Sequence, residues 1–472
     1  MQPYIVTGAM NRKDMIKSKN REMRRESGNV FYDIPAKSRI KQFIEHTVLP
    51  LLLIMFTPNL VMILWYTAVK FDGSITYCLH HLFKGSVLTG LLNIWTEVSI
   101  GSSFALIVIF GYSLWAIITM KILPGQLVKG SITPKGNVPI YIDNGFLYFS
   151  LTIVVLVCSE IILNTYDISV SIIYDRFGDI LGTLNLVSFV FCFILYVKGL
   201  TFPSSSDSGT SGNVIFDYYW GTELYPKIYG IDIKQFTNCR FGMMSWALIV
   251  LIFSIKNYQL NGWVDSNIVS TALQLLYITK FFWWEAGYLN TIDIMLDRAG
   301  YYICWGCLVF IPGFYTSVSL YLVNHPIHLG TLVSIFIFIT GTAALLINYF
   351  ADKQKQKVRA TNGNCLVWGK KPVIIQATYT LETGEKKEGI LLVSGWWSWS
   401  RHFHYIPEIV LAFCWTIPAC FSSFMPFFYV IHLLILLTHR SFRDDDKCGR
   451  KYGEFWKEYC RKVPYRIIPY LF

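Results

Sequence analysis

The sequence predicts an all-α integral membrane protein of about ten transmembrane helices with a small cytosolic β-hairpin, and three observations carry that reading. Of the 472 residues, 53% are hydrophobic and only 15% are charged, whereas a soluble globular domain carries about 25% charged residues; the mean hydropathy is +0.43. Apolar runs of bilayer-crossing length, about 20 residues each, recur along the whole chain. The net charge of +11 gathers at the two ends and after Phe350, the distribution that marks the cytosolic side of a multispanning protein.

Residues 1–42 are polar and basic (Arg12, Lys13, Lys17, Lys19, Arg21, Arg24, Arg25). They read as a cytosolic segment rather than a signal peptide, which would need an apolar centre. Runs at 48–66, 103–123, 145–164 and 179–200 form an N-terminal membrane unit, 43–240. A second unit, 241–472, holds runs at 242–256, 268–284, 301–323 and 330–350. The stretch 406–438 is too long for one span, and Pro418 and Pro426 divide it into two. Ten spans return both basic termini to the same, cytosolic side. Between them, the glycine- and proline-rich residues 124–144 predict an irregular connection, and 204–212 (SSSDSGTSG) a flexible polar loop. Residues 362–394 leave the membrane; their alternation of apolar and polar residues around Thr383-Gly384 predicts the β-hairpin.

Several function classes are excluded. The eleven cysteines are scattered singly; Cys304-x-x-Cys307 lacks a second pair and His402-x-His404 lacks further ligands, so no metal is implied. The basic residues border spans and form no separate domain, which argues against nucleic acid as a partner. No G-x-G-x-x-G follows a strand and no βαβ alternation occurs. A dinucleotide would therefore have to sit among helix faces and loops in the C-terminal half, near the cytosolic end.

The charged motifs point to such a pocket. If 437–451 is helical, Arg440, Arg443, Asp444, Lys447 and Lys451 share one face. Flanked by Tyr452 and Tyr459, that stripe suits a phosphate-bearing cofactor and equally a phospholipid headgroup surface. Lys355 and Arg359, one turn apart at a membrane exit, can grip a diphosphate or lipid in the same way. The block Lys280–Gly300 places Lys280, Glu285, Asp293, Asp297 and Arg298 between two apolar runs. One ionisable residue at mid-membrane costs about 2.5–3.5 kcal/mol, so these form either a solvated loop with helix caps or the polar floor of a buried site.

The pattern R-x-x-R-D-x-x-x-C-x-x-K-Y-G-x-x-W-x-x-Y-C-x-x-V-P-Y-R-I-x-P, filled from Arg440 to Pro469, resembles the C-terminal signature of the sterol reductase family. The block Phe216–Lys227, Asp232-Ile233-Lys234, the T-x-D-I of Thr291–Ile294 and Thr361-Asn362-Gly363 extend the resemblance from about residue 48 to the end. The resemblance implies reduction of a membrane sterol's double bond with NADPH at the endoplasmic reticulum membrane. It implies cofactor contacts by Lys355, Arg359, Leu392, Trp397, His404, Tyr405, Arg440, Asp444, Cys448, Lys451, Tyr452 and Tyr459. WGKKP and FFWWEAGYLNTIDI look like the 7-dehydrocholesterol reductase branch, whose reaction is reduction of the C7–C8 bond; RHFHYIPEI departs from the RHPNYLGD form of the Δ14 branch. Cys307 stands where many relatives have aspartate, and His404 replaces a common asparagine.

Reduction of a C=C bond needs a hydride at one end and a proton at the other. For a 5,7-diene, protonation at C8 leaves an allylic cation over C7 to C5. An aspartate among arginines is a poor acid at neutral pH. The expectation is therefore a relay in which Tyr277, matched by Gln274–Tyr277 to a family segment, donates to the sterol and Asp444 orients or recharges it. A Δ14-sterol reductase and a non-catalytic sterol-binding membrane protein are the alternatives. Prenylcysteine methyltransferases share an R-H-x-x-Y block but are shorter and leave Phe216–Lys234 and Lys280–Val323 unexplained.

Overall fold

The computed structural model describes residues 39–472; all but the end of the predicted 1–42 segment lies outside the described residues. In chain order, the helices that build the molecule are α1 Arg39–Lys70, α2 Ser103–Ile122, α3 Gly145–Asn164, α4 Phe177–Thr201 and α5 Gln235–Asn261. They continue with α6 Asp265–Trp283, α7 Tyr301–Asn324, α8 Thr331–Ala360, α9 Tyr405–Ala419, α10 Met425–Tyr452 and α11 Glu454–Lys462. Eight of these are long and apolar enough to cross a membrane: α1 to α5, α7, α8 and α10. The other two predicted runs also become helices, α6 and α9, without meeting both criteria. Their positions follow from proline chemistry and polarity. Pro418 lies in the tightened last turn of α9 and Pro426 in the first turn of α10, where a missing N–H is tolerated. The chain breaks between them.

One continuous apolar core runs through both predicted membrane units. α8 packs along α9 and α6, α5 against α6, and α4 against α7. Gly341 allows the tight α8 contact: a Cβ there would stand 2.7 Å from Leu273 and 3.1 Å from Cys414. Below α6, Arg240 and Glu285 are both 0% exposed and form a two-pronged pair, with Nη1 to Oε1 at 2.5 Å and Nη2 to Oε2 at 3.0 Å. Asn144 and Gln235 complete it, at 2.6 Å and 3.2 Å. This pair explains why α5 starts at Gln235, ahead of the apolar run 242–256: its first two turns are polar but fully buried.

The predicted hairpin is present. Two-residue strands β3 (Lys227–Ile228) and β4 (Ile231–Asp232) pair earlier in the chain, whereas β5 (Ile374–Thr380) and β6 (Lys386–Leu392) pair antiparallel from Ile374↔Leu392 to Thr380↔Lys386, and Gly384 turns the chain at φ 83°. Two loop expectations need correction. The connection 124–144 contains a ribbon of β1 (Gln126–Lys129) on β2 (Ile140–Asp143). Its glycines and prolines are confined to the turn and its ends, leaving two short runs free to pair. The stretch 204–212 is anchored rather than loose: Asp207 is buried and accepts from Asn137 at 2.8 Å, and Asp217 accepts from the Ser211 N–H at 2.8 Å. Polar anchors of this kind leave no hydrophobic period. Finally, the segment before α7 is wedged in place, since a Cβ on Gly300 would stand 2.3 Å from the backbone nitrogen of Gly221.

Candidate functional site

A cavity of about 1360 Å³ opens among α6, α7, α8, α9, α10 and the β5–β6 hairpin. It exceeds the roughly 300–1,000 Å³ of an ordinary small-molecule pocket, so it has room for more than one ligand. All thirteen sequence-predicted site residues line it. One region is cationic and the other apolar and aromatic.

The cationic wall is built mainly by α10, whose 3.6-residue period brings Arg440, Arg443, Asp444, Lys447 and Lys451 to one face as the spacing predicts. These cations divide by partner. Arg440 is bound to Asp293 and Arg443 to Asp297, whose side chain is fully buried. Lys234 ties the same loop from below, donating to the carbonyls of Ile294 and Asp297 at 2.6 Å each. Burial pushes the Lys234 ammonium down to about 8. Residues 289–300 are thus a polar floor stitched to α10, not a solvated loop.

Lys355, Arg359, Lys447 and Lys451 line the cavity without an ion-pair partner among the described residues. Lys355 lies 3.4 Å above the Trp397 ring and Lys451 3.9 Å above the Tyr379 ring, contacts that orient an ammonium without neutralising it. The Arg359 Nε–H reaches the Ile390 carbonyl at 3.4 Å, which sets the guanidinium beside β6. Trp397 is itself fixed by donation to the Ala351 carbonyl at 2.8 Å. Leu392 ends β6, and Tyr452 packs over Gly389, where a Cβ would stand 3.1 Å from the phenol ring. Tyr459, on α11, stacks on Trp456 at 5.0 Å. Cys448 is half-buried beside Asp444 and Lys451 on α10.

Two imidazoles sit beneath this wall. His402 faces Asp444 at 3.8 Å and lies parallel to the Tyr405 ring at 5.0 Å. Burial lowers its pKa to about 4, with Asp444 opposing. His404 stands 5.0 Å from Trp397; burial and then the Lys355 charge hold it well below the usual range. Its buried Nδ1 has no hydrogen-bond partner among the described residues. Both rings are therefore neutral at pH 7.

In the apolar region Tyr277 packs among Trp246, Trp415 and Tyr429. Its hydroxyl donates to Glu408 Oε1 at 3.2 Å. Asp444, the expected relay partner, faces His402 at 3.8 Å, and the carboxylate bonded to the Tyr277 phenol is that of Glu408. α9, which carries Glu408, packs against both α6 and α10. Sequence reasoning missed Glu408, although a carboxylate inside the apolar run 406–438 is itself a signal of function.

Residues 37–472 match the family described as ergosterol biosynthesis ERG4/ERG24. The 7-dehydrocholesterol reductase of Arabidopsis thaliana is 51% identical over 420 residues, covering 88% of this chain and 95% of that protein. The 7-dehydrocholesterol reductase of Xenopus laevis is 35% identical, covering 80% of this chain and 81% of its own. A Delta(14)-sterol reductase of Methylotuvimicrobium alcaliphilum is 32% identical, covering 89% and 94%.

Proposed function

The chain belongs to the ERG4/ERG24 sterol reductase family, and from that premise we propose that it reduces the C7–C8 double bond of a membrane sterol using NADPH. The carrying observation is the division of one cavity into a region of unpaired cations and a region of apolar and aromatic walls with a phenol between them. The higher identity to proteins named 7-dehydrocholesterol reductase than to one named Delta(14)-sterol reductase supports the choice of bond.

The residues present fit the dinucleotide. Lys355, Arg359, Lys447 and Lys451 offer charge with no carboxylate partner among the described residues, suited to phosphates, with Trp397 and Tyr452 as flat faces. Bound there, NADPH supplies a hydride. The chain's own part is to hold the sterol ring system against Tyr315, Tyr429 and Leu433, exclude water and deliver a proton from Tyr277 to C8. His404, whose Nδ1 is buried without a hydrogen-bond partner among the described residues, lines that same cavity. The sterol, a lipid, enters from the bilayer. The basic character of the chain's two ends supports cytosolic termini, and the family together with an NADPH supply at the cytosolic face supports an endoplasmic reticulum location.

The test is an assay of the purified protein in detergent with NADPH and 7-dehydrocholesterol, beside a Δ8,14-sterol, with products separated by gas chromatography. Cholesterol from the first substrate alone is the expected result. Product only from the second would overturn the choice of bond. Cofactor binding with no product from either would move the reading to a sterol-binding protein.

A further inference from the structure

Glu408 lies on α9 among residues that are otherwise largely apolar, Tyr405–Thr416. A carboxylate so placed is expensive unless it is bonded and has a task. Each oxygen has its own partner: Oε1 accepts from Tyr277 at 3.2 Å and Oε2 from Asn348 Nδ2 at 3.3 Å. The Asn348 amide is locked from both ends. Its Nδ2 also donates to the His404 carbonyl at 2.8 Å, and its Oδ1 accepts from Lys280 Nζ at 2.7 Å. Lys280, Glu408 and Tyr277 all border the cavity. A continuous set of bonds thus leads from a cation at the wall, through a fixed amide and a carboxyl, to the phenol.

We propose that Glu408 is the positioning residue behind Tyr277: it holds the hydroxyl at the sterol end of the cavity and replaces the proton the phenol gives up. This rests on the reductase reading above. In the state recorded here the phenol donates to Glu408. In the loaded state the carboxyl carries a proton and donates to the Tyr277 oxygen, which turns the phenol hydrogen toward the sterol. The Tyr277 O–H bond then breaks as a C–H bond forms at one end of the double bond, while hydride from the dinucleotide closes the other. The Glu408 O–H bond breaks as the phenol re-forms, and the carboxylate takes its next proton from water at the cationic mouth. The charged and titratable groups near Glu408 are Tyr277 from α6, with Lys280 reaching it through Asn348, Tyr315 from α7, Asp352 from α8, Tyr429 from α10 and Tyr405 on α9 itself.

Glu408→Gln in the full-length protein keeps the shape and the hydrogen-bonding capacity but cannot release a proton. Its kcat is expected to fall about 10²-fold, with KM for both substrates within about twofold and the proton-supply limb of the kcat–pH profile lost. Glu408→Asp should restore part of kcat and that limb. A wild-type kcat and pH profile in Glu408→Gln overturns the proposal. So does a fall in kcat accompanied by equal losses of thermal stability and NADPH binding that Glu408→Asp does not rescue. Infrared difference spectra on adding NADPH and sterol give a readout without turnover: a protonated-carboxyl C=O band, lost in Glu408→Gln and shifted in Tyr277→Phe. That band in a protein that reduces no sterol would sink the reductase reading and leave the coupling standing; turnover without the band would sink the coupling alone.

Discussion

Two groups of cations in this chain look alike in sequence and behave oppositely in structure. Arg240 is neutralised by Glu285 on two prongs and held by Asn144, with no exposed surface and only its Nε left without a bond among the described residues. Lys355, Arg359, Lys447 and Lys451 are answered by ring faces, a carbonyl or nothing charged. A charge neutralised by a carboxylate of the protein itself belongs to the fold. A charge held in place but left uncompensated is poised for a partner that is not protein. Arg440 and Arg443 fall between, since Asp293 and Asp297 already neutralise them while they still border the cavity.

The comparison can be broken by experiment, and the largest effect is expected at the buried Arg240–Glu285 pair. Glu285→Ala leaves Arg240 buried without its anion and should cost about 3–5 kcal/mol, seen as loss of the monodisperse peak and of the thermal transition in detergent. An undisturbed transition would mean the pair is not structural. On the proposed reading, Tyr277→Phe should lower turnover by at least ~10²-fold with NADPH binding and thermal stability intact, because the ring that packs against Trp246 and Trp415 is kept and only the hydroxyl is lost. Arg359→Ala should weaken NADPH binding by about 10–100-fold, the worth of one charge-assisted bond, while the ligand-free thermal midpoint holds or rises. A fall in that midpoint would place Arg359 with Arg240.

A smaller effect is expected from His402. Its folded pKa is depressed by burial to about 4, below the usual 6.5 or so of the unfolded chain. The unfolded state therefore takes up the proton first. Stability is full above about pH 6.5 and falls as the pH drops toward 4, by on the order of 1–2 kcal/mol at pH 5. His402→Gln should flatten that dependence in a pH series of melting curves. Least of all, removing the half-exposed Lys462–Glu458 pair, 2.8 Å apart at i,i+4, should change stability by less than about 0.5 kcal/mol.

Much of this was legible in the sequence because it follows from period. Apolar runs gave the positions of the ten principal helices, Pro418 and Pro426 the break between α9 and α10, and spacings of three and four the cationic face of α10. Alternation gave the β5–β6 hairpin. What escaped depends on partners far away in the chain. The polar start of α5 is helical because Glu285 meets Arg240, and 204–212 is anchored because Asn137 and the Asp217 carboxylate are near. Asp293 and Asp297 could be read as a solvated loop or a floor until Arg440 and Arg443 were placed against them. Glu408 was visible as a lone acid in an apolar run, but nothing local says that Tyr277, 131 positions earlier, bonds to it.

The stitch between the floor and α10 has a consequence for biogenesis. Asp293 and Arg440 are separated by 147 positions, and Asp297 and Arg443 by 146. During synthesis the two carboxylates emerge long before the arginines that answer them. Until the last long helix leaves the ribosome, the nascent bundle carries two acids at a membrane boundary with their partners unmade, a state costly in lipid. A chain cut short before Arg440 therefore loses more than its cationic wall. It is left as an insertion intermediate with uncompensated acids, the kind of species that membrane quality control removes.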